Sequence, residues 1–172
     1  MAYYNLGNLY AQQGNFALAQ RRFEAALKLL PNYAEVHSNY GQLRAEQGDL
    51  QAGMEHFKKA VALNPMLSRA HLNLGVALAK QGKSAAAIGP LQTAVKLNAD
   101  SPQASFYLGS VYAEQNRFAE AEAWFNQALR IDANFAPAHE SLAQLFALQG
   151  KQEEALRHYQ EAVRLMRQSG GR

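Results

Sequence analysis

The chain has 172 residues, 48% of them hydrophobic, and its 17 Lys and Arg against 14 Asp and Glu give a formal net charge of +3. This length and apolar content suffice for a buried core, while the scattered basic residues lack the concentrated stripe of a nucleic-acid or membrane-surface protein. The absence of Cys excludes disulfides, thiolate metal sites and a Cys nucleophile. No apolar run approaches the roughly 20 residues that span a bilayer. We therefore predict a soluble protein without nucleic-acid or membrane partners. The sequence names no compartment, and it favours a cytoplasmic protein over an exported one.

A shift of the sequence by 34 residues superimposes five rows with matching columns. Three columns hold small residues, as expected where two helices approach closely, and one column holds large apolar residues that fill the space beside them. The small columns are Gly7, Gly41, Gly75, Gly109 and Ala143; Ala19, Gly53, Ala87, Ala121 and Ala155; and Ala26, Ala60, Ala94, Ala128 and Ala162. The large column is Phe23, Phe57, Leu91, Phe125 and Tyr159.

Each row predicts two helices, because its apolar residues recur at three- and four-residue spacing. In the third row the helices are expected over 69–81 and 85–97. A residue that tolerates left-handed backbone follows each first helix. These residues are Gly14, Gly48, Gly82, Asn116 and Gly150. In row four, Ser101 and Pro102 form a helix-start signal, and Pro137 marks the corresponding start in row five after Ala136, a poor cap.

These elements predict an all-α protein in which helix pairs stack and bury their apolar faces against neighbouring pairs. The rows define one array with repeats at 1–33, 34–67, 68–101, 102–135 and 136–169, followed by a flexible tail at 170–172.

The spacing resembles the tetratricopeptide repeat (TPR), whose pattern runs W-x2-L-G-x2-Y, then A-x3-F, then A and P. The first row matches it at Leu6-Gly7, Tyr10, Ala19, Phe23, Ala26 and Pro31. The Trp position departs from the pattern and holds Tyr3, His37, His71, Ser105 and His139. The resemblance implies a right-handed α-solenoid of about five helix-turn-helix repeats. It also implies that the first helices line a concave surface that binds a protein or an extended peptide, without catalysis or a cofactor.

One column of the implied inner surface holds Asn three times, at Asn5, Asn39 and Asn73, before Tyr107 and Ser141 interrupt it. An Asn side chain has both donors and an acceptor, so it can bond the N–H and the C=O of an extended backbone. The column is similar to the Asn ladder of the repeat-containing glycosyltransferases that attach N-acetylglucosamine to proteins, which implies a backbone clamp. One turn further, Asn8 and Gln42 extend the polar stripe. The alternative is that these side chains are merely solvated.

Three further groups of residues bear on binding. The carboxylate clamp of chaperone-binding repeats uses two Asn and three basic residues. At the corresponding positions this chain has both Asn, at Asn8 and Asn39, but only one basic residue, Arg69. We therefore expect at most a contact from Arg69 to an acidic side chain. Phe106 and Tyr107 either form an anchor pocket or pack against the adjacent first helix. The histidines at the Trp position lie in separate rows, too far apart to share a metal, and we interpret them as structural.

The sequence leaves three functions open. The first is a non-catalytic scaffold that holds an extended peptide in the groove. The second is self-assembly through apolar residues of the first and last repeats that lack cover, among them Tyr3, Leu6, Leu156 and Met166. The third is a targeting module of a larger enzyme. No Ser-His-Asp order, phosphate loop or carboxylate pair points to catalysis within these residues.

Overall fold

The computed structural model describes residues 1–169, so the predicted tail at 170–172 lies outside the described residues. Ten α-helices and no strand make up this described part. The helices are α1 (Ala2–Gln12), α2 (Phe16–Leu29), α3 (Ala34–Glu46), α4 (Leu50–Leu63), α5 (Ser68–Lys80), α6 (Ser84–Leu97), α7 (Pro102–Glu114), α8 (Phe118–Ile131), α9 (Ala136–Leu148) and α10 (Gln152–Ser169). The predicted all-α fold of helix-turn-helix repeats is confirmed, and both helices of the third row begin one residue before their predicted starts.

Each first helix ends in the left-handed turn that its sequence predicts. The five turn residues have positive φ, from 59° at Asn116 to 89° at Gly48. The N–H of the next residue then bonds a carbonyl five positions back, as Asp49 does to Arg44 across 3.0 Å. This bond satisfies a carbonyl that the end of the helix would otherwise leave open. The turn reverses the chain so that the second helix packs against the first.

The starts of α7 and α9 differ in their capping. Ser101 precedes α7, and its hydroxyl accepts a hydrogen bond from the N–H of Ala104 at 3.2 Å, as predicted. Before α9 the capping position falls on Phe135, not on Ala136, which already belongs to the helix. Because Pro137 is acceptable anywhere in the first turn, it fixes the start only to within a residue.

The Gly column brings paired helices almost into backbone contact. A Cβ atom added at Gly41 of α3 would lie 2.8 Å from the carbonyl oxygen of Gly53 in α4 and 2.8 Å from the Phe57 ring. The large column is buried in the first four rows. In the fifth row Ala143 replaces Gly, and the Tyr159 side chain is 59% exposed.

The contacts group the chain into two units, 1–97 and 98–172, which are described separately. In the first unit α1 and α2, α3 and α4, and α5 and α6 form pairs, and a core of Phe23, Val36, Tyr40 and Leu43 joins the first two pairs. In the second unit α7 pairs with α8 and α9 with α10. Below, repeats 1 to 5 denote these five helix pairs in chain order. Their membership of one continuous array stays a prediction.

Candidate functional site

A polar cavity of about 220 Å³ is lined by the first helices of the first unit. Asn8 of α1, Asn39 and Gln42 of α3, and Arg69 of α5 line it. Half of the predicted site residues, contributed by three successive repeats, therefore meet around one space. Other lining side chains are Tyr4, Gln12, Phe23, Leu43 and Glu46.

The Asn39 carboxamide connects the two helices on either side of this cavity. Its Nδ2 donates to Asn8 Oδ1 at 2.8 Å and to the Tyr4 hydroxyl at 3.1 Å. Both N–H groups of Asn39 are thus used within the protein, and its Oδ1 remains as an acceptor for a ligand. On Asn8 the situation is reversed, because its Oδ1 is used and its Nδ2 remains as a donor. The pair, rather than each Asn alone, offers one donor group and one acceptor.

Two lining side chains, Glu46 and Arg69, carry opposite charges. Gln42 Nε2 donates to Glu46 Oε1 at 2.9 Å, which holds that carboxylate on α3. Arg69 is exposed and lines the same cavity from α5. The cavity can therefore meet ligand side chains of either sign.

Asn5 and Asn73 do not join this cavity, although they share the sequence column of Asn39. The Asn5 side chain is exposed, and Asn73 is half-buried with its Nδ2 unpaired. The column is therefore not one continuous row of side chains around a shared space.

Phe106 and Tyr107 belong to the second unit, and Phe106 packs inside it. Its ring centroid lies 5.8 Å from that of Phe125 in α8 and 5.6 Å from that of Phe135, immediately before α9. Tyr107 meets the edge of Phe106 at 5.3 Å. Phe106 thus packs against α8 and the start of α9, and the Tyr107 ring is half-buried. A binding role for either residue stays a prediction.

Comparison with protein families gives matches along most of the chain. Models described as tetratricopeptide repeat match residues 4–66, 47–98, 72–135 and 138–172. The chain belongs to the tetratricopeptide repeat family. A comparison with curated proteins finds no match.

Several solved structures share this fold. A crystal structure of MamA has 26% identity and a TM-score of 0.82, with 97% of this chain and 98% of that chain covered. PilF of Pseudomonas aeruginosa has 24% identity and a TM-score of 0.88, with 95% and 74% covered. YrrB, a TPR protein with an unusual peptide-binding site, has 24% identity and a TM-score of 0.75, with 95% and 84% covered.

The histidines at the TPR Trp position bond to the backbone of the preceding turn. The Nε2 atoms of His37, His71 and His139 lie 2.9, 2.9 and 3.2 Å from the carbonyl oxygens of Pro31, Pro65 and Ala133. These bonds attach each first helix to the turn before it, as expected for structural residues. No group of three or more metal-ligating side chains occurs among residues 1–169.

Sequence reasoning missed the second member of two histidine pairs. His37 Nδ1 lies 2.8 Å from His56 Nδ1, and His139 Nδ1 lies 2.9 Å from His158 Nδ1. Both pairs have the same 19-residue separation, and this recurrence in the sequence is the signal that could have revealed them.

In the part of the chain that the structure describes, no helix combines the length and apolar character needed to cross a bilayer.

Proposed function

We propose that this TPR chain is a non-catalytic scaffold that binds an extended peptide segment in the cavity of its first unit. The observation that carries the proposal is the meeting of Asn8, Asn39, Gln42 and Arg69, from three successive first helices, around one polar cavity. Side chains that converge in this way form a site that a ligand can reach without rearrangement of the helices.

The Asn8–Asn39 pair is suited to the polar groups of a peptide backbone. Asn39 Oδ1 accepts from a peptide N–H, and Asn8 Nδ2 donates to a peptide C=O. The bonds from Asn39 to Asn8 and Tyr4 hold both carboxamides in place, so little side-chain freedom is lost when the ligand binds.

Two such hydrogen bonds contribute roughly 0.5–1.5 kcal/mol each, so further contacts are needed for micromolar affinity. Gln42, Arg69 and Glu46 supply them. We expect selected peptides to place an acidic side chain near Arg69 and a basic or amide side chain near Glu46, since unlike charges attract in a partly desolvated cavity.

Peptide-display selection on the purified chain tests the proposal. The parent protein should enrich a family of related peptides, and Asn39→Ala should lose that family while keeping its helicity. The matched control is Asn32→Ala, which removes an exposed Asn side chain from the turn before α3. If Asn39→Ala and the parent enrich the same peptides, the cavity is not the binding site.

A second candidate function is self-association, and it rests on the burial of equivalent residues. In repeat 1 the Leu9 side chain is 47% exposed, whereas its equivalent in repeat 2, Leu43, is 1% exposed. The exposed Tyr159 ring of repeat 5 is the equivalent of Phe23, which packs against Tyr40 of the next repeat at 5.9 Å. Leu6 is the equivalent of Tyr40. Tyr159 of one copy would therefore meet Leu6 of a second copy, as Phe23 meets Tyr40 within the chain.

Charge distribution supports this candidate. Residues 1–97 contain ten Lys and Arg against five Asp and Glu, whereas residues 98–172 contain seven against nine. Unlike net charges favour contact between the first unit of one copy and the second unit of another. Sedimentation should show a mass that rises with concentration, and Leu9→Glu should abolish the rise. A parent mass that stays monomeric at all concentrations would exclude the candidate and leave the peptide proposal intact.

A further inference from the structure

Two pairs of imidazoles link the first helix to the second in repeats 2 and 5. His37 of α3 meets His56 of α4, and His139 of α9 meets His158 of α10, through their Nδ1 atoms at 2.8 and 2.9 Å. The centroids of the two rings lie 5.1 Å apart in both pairs, so each pair meets nitrogen to nitrogen rather than by stacking. The His37 side chain is fully enclosed, at 3% exposure.

The hydrogen-bond partners fix where the protons are. A backbone carbonyl can only accept, so His37 carries a proton on the Nε2 that faces Pro31. A neutral imidazole has one N–H, which leaves His37 Nδ1 as an acceptor, and the proton between the rings then belongs to His56 Nδ1. The bond from His139 to the Ala133 carbonyl imposes the same arrangement on His139 and His158.

This arrangement tolerates one additional proton but not two. The first can occupy the outer nitrogen of His56 and leaves the bond between the rings intact. A second must occupy His37 Nδ1, so two N–H groups then face each other between two cations. Because His37 is enclosed and His56 is half-buried between the same two helices, this repulsion acts against the packing of the helix pair.

Two cations lie near the first pair. The charge of Arg44 in α3, which is ion-paired with Asp49, opposes protonation of His56, and the charge of Lys59 in α4 opposes protonation of both rings. Glu24 of α2 accepts the hydrogen bond of the Tyr40 hydroxyl. Burial first, and then His37, Arg44 and Lys59, lower the pKa of His56 to about 4. Desolvation likewise lowers the pKa of His37.

Carboxylates lie close to the second pair. Glu122 of α8 opposes the lowering of the pKa of His158, which comes mainly from desolvation and then from His139. Glu161 of α10 interacts with His139. The charged groups around the second pair therefore differ from those around the first.

We propose that the two histidine pairs are acid-released clasps that hold the helices of repeats 2 and 5 together at neutral pH and loosen them on acidification. The other repeats show that the clasp is not required for the fold. At the equivalent positions, repeat 3 has His71 and Pro90, and repeat 4 has Ser105 and Trp124. Loosening of α3 also displaces Asn39, which lies on that helix. The effect of this displacement on peptide binding rests on the proposed function, whereas the clasp itself does not.

The sign of the pH effect follows from proton binding. A histidine whose folded pKa is lowered binds fewer protons in the folded state than in the unfolded state. Its contribution to stability is complete above the unfolded pKa of 6.5 and is lost as the pH falls toward the folded pKa, about 4 for His56.

The test compares urea unfolding at pH 7.5 and 4.5 in the parent and in a variant with His37→Ser, His56→Trp, His139→Ser and His158→Trp, which copies the residues of repeat 4. The folding equilibrium constant of the parent should fall at least ~10-fold more than that of the variant over this interval. His71→Ser, which removes a histidine outside the pairs, should retain the parent's pH dependence. Equal pH dependence in the parent and the four-residue variant overturns the proposal.

Nitrogen NMR of the parent histidines provides a second measurement that does not need the variant to fold. At pH 7.5, His37 and His139 should carry their proton on Nε2, and His56 and His158 on Nδ1. On acidification the amide signals of α3 and α4 and of α9 and α10 should broaden at a higher pH than those of α5 to α8, which carry no histidine pair. Any other tautomer pattern, or simultaneous protonation of all four rings near pH 6.5, contradicts the clasp.

Discussion

The hydroxyl of Tyr40 in α3 donates a hydrogen bond of 2.9 Å to Glu24 Oε1 in α2, across the boundary between the first two repeats. The Tyr40 ring also packs on Phe23, so this one side chain makes both an apolar and a polar contact between these repeats. Stacking of neighbouring repeats provides much of the stability of such an array, and this contact is where it can be measured.

Tyr40→Phe should lower the free energy of unfolding by ~1 kcal/mol at pH 7, because the ring stays packed while one hydrogen bond to a carboxylate is lost. Hydrogen bonds from Gln20 and then Tyr40 lower the pKa of Glu24. Their stabilisation is present above the unfolded pKa of 4.5 and is lost as the pH falls through the lowered folded value. Urea unfolding should show a smaller cost at pH 3. Tyr3→Phe, at an exposed position, should cost nothing, and a pH-independent cost for Tyr40→Phe would contradict this explanation.

Gly41→Ala should cost about 2 kcal/mol, because the added Cβ would lie 2.8 Å from the backbone oxygen of Gly53, which cannot move without shifting α4. Gly89→Ala is the matched control. An added Cβ at Gly89, inside α6, would meet nothing within 4 Å. The gain in helix propensity of ~1 kcal/mol should therefore stabilise the Gly89→Ala protein. Equal destabilisation by the two substitutions in urea melts would show that backbone approach is not the cause.

Asn116→Gly should stabilise the protein by ~0.5–1 kcal/mol, since residue 116 has a φ of 59° and Gly adopts this conformation without steric cost. Gly82→Ala, at the equivalent turn with a φ of 74°, should destabilise it by about 1 kcal/mol. Asn126→Gly makes the same change of residue type inside α8 and is the control. It should destabilise the protein, because Gly is unfavourable within a helix. Thermal unfolding of the three variants gives the order, and a loss of stability in Asn116→Gly would mean that the Asn side chain has a role of its own there.

The repeat columns explain why so much of the fold was predictable. Gly at position 41 and positive-φ residues such as Gly82 reflect constraints on backbone approach and backbone conformation, which the sequence expresses directly and repeats five times. The predicted cap of α9, Ala136, was wrong by one residue, because Pro137 restricts the first turn of the helix without marking its capping residue.

The details of the site were harder to predict, because they depend on how neighbouring helices are rotated about their axes. Asn5, Asn39 and Asn73 occupy one column, yet among them only Asn39 lines the cavity. The N–H groups of Asn39 point toward Asn8 and Tyr4. This orientation cannot be deduced from the spacing of residues along one helix. The histidine pairs escaped notice for a similar reason, since comparison within a column cannot reveal contacts between columns.

The most direct test of the peptide proposal is a thermodynamic cycle between the Asn39 side chain and the ligand backbone. Calorimetric titrations would compare a display-selected peptide with analogues in which each amide in turn is replaced by an ester, against the parent and Asn39→Ala. If Asn39 Oδ1 accepts a peptide N–H, one ester should weaken binding to the parent about five- to tenfold and leave binding to Asn39→Ala nearly unchanged. If every ester weakens binding to both proteins equally, Asn39 does not contact the backbone and the proposed mode of binding is wrong.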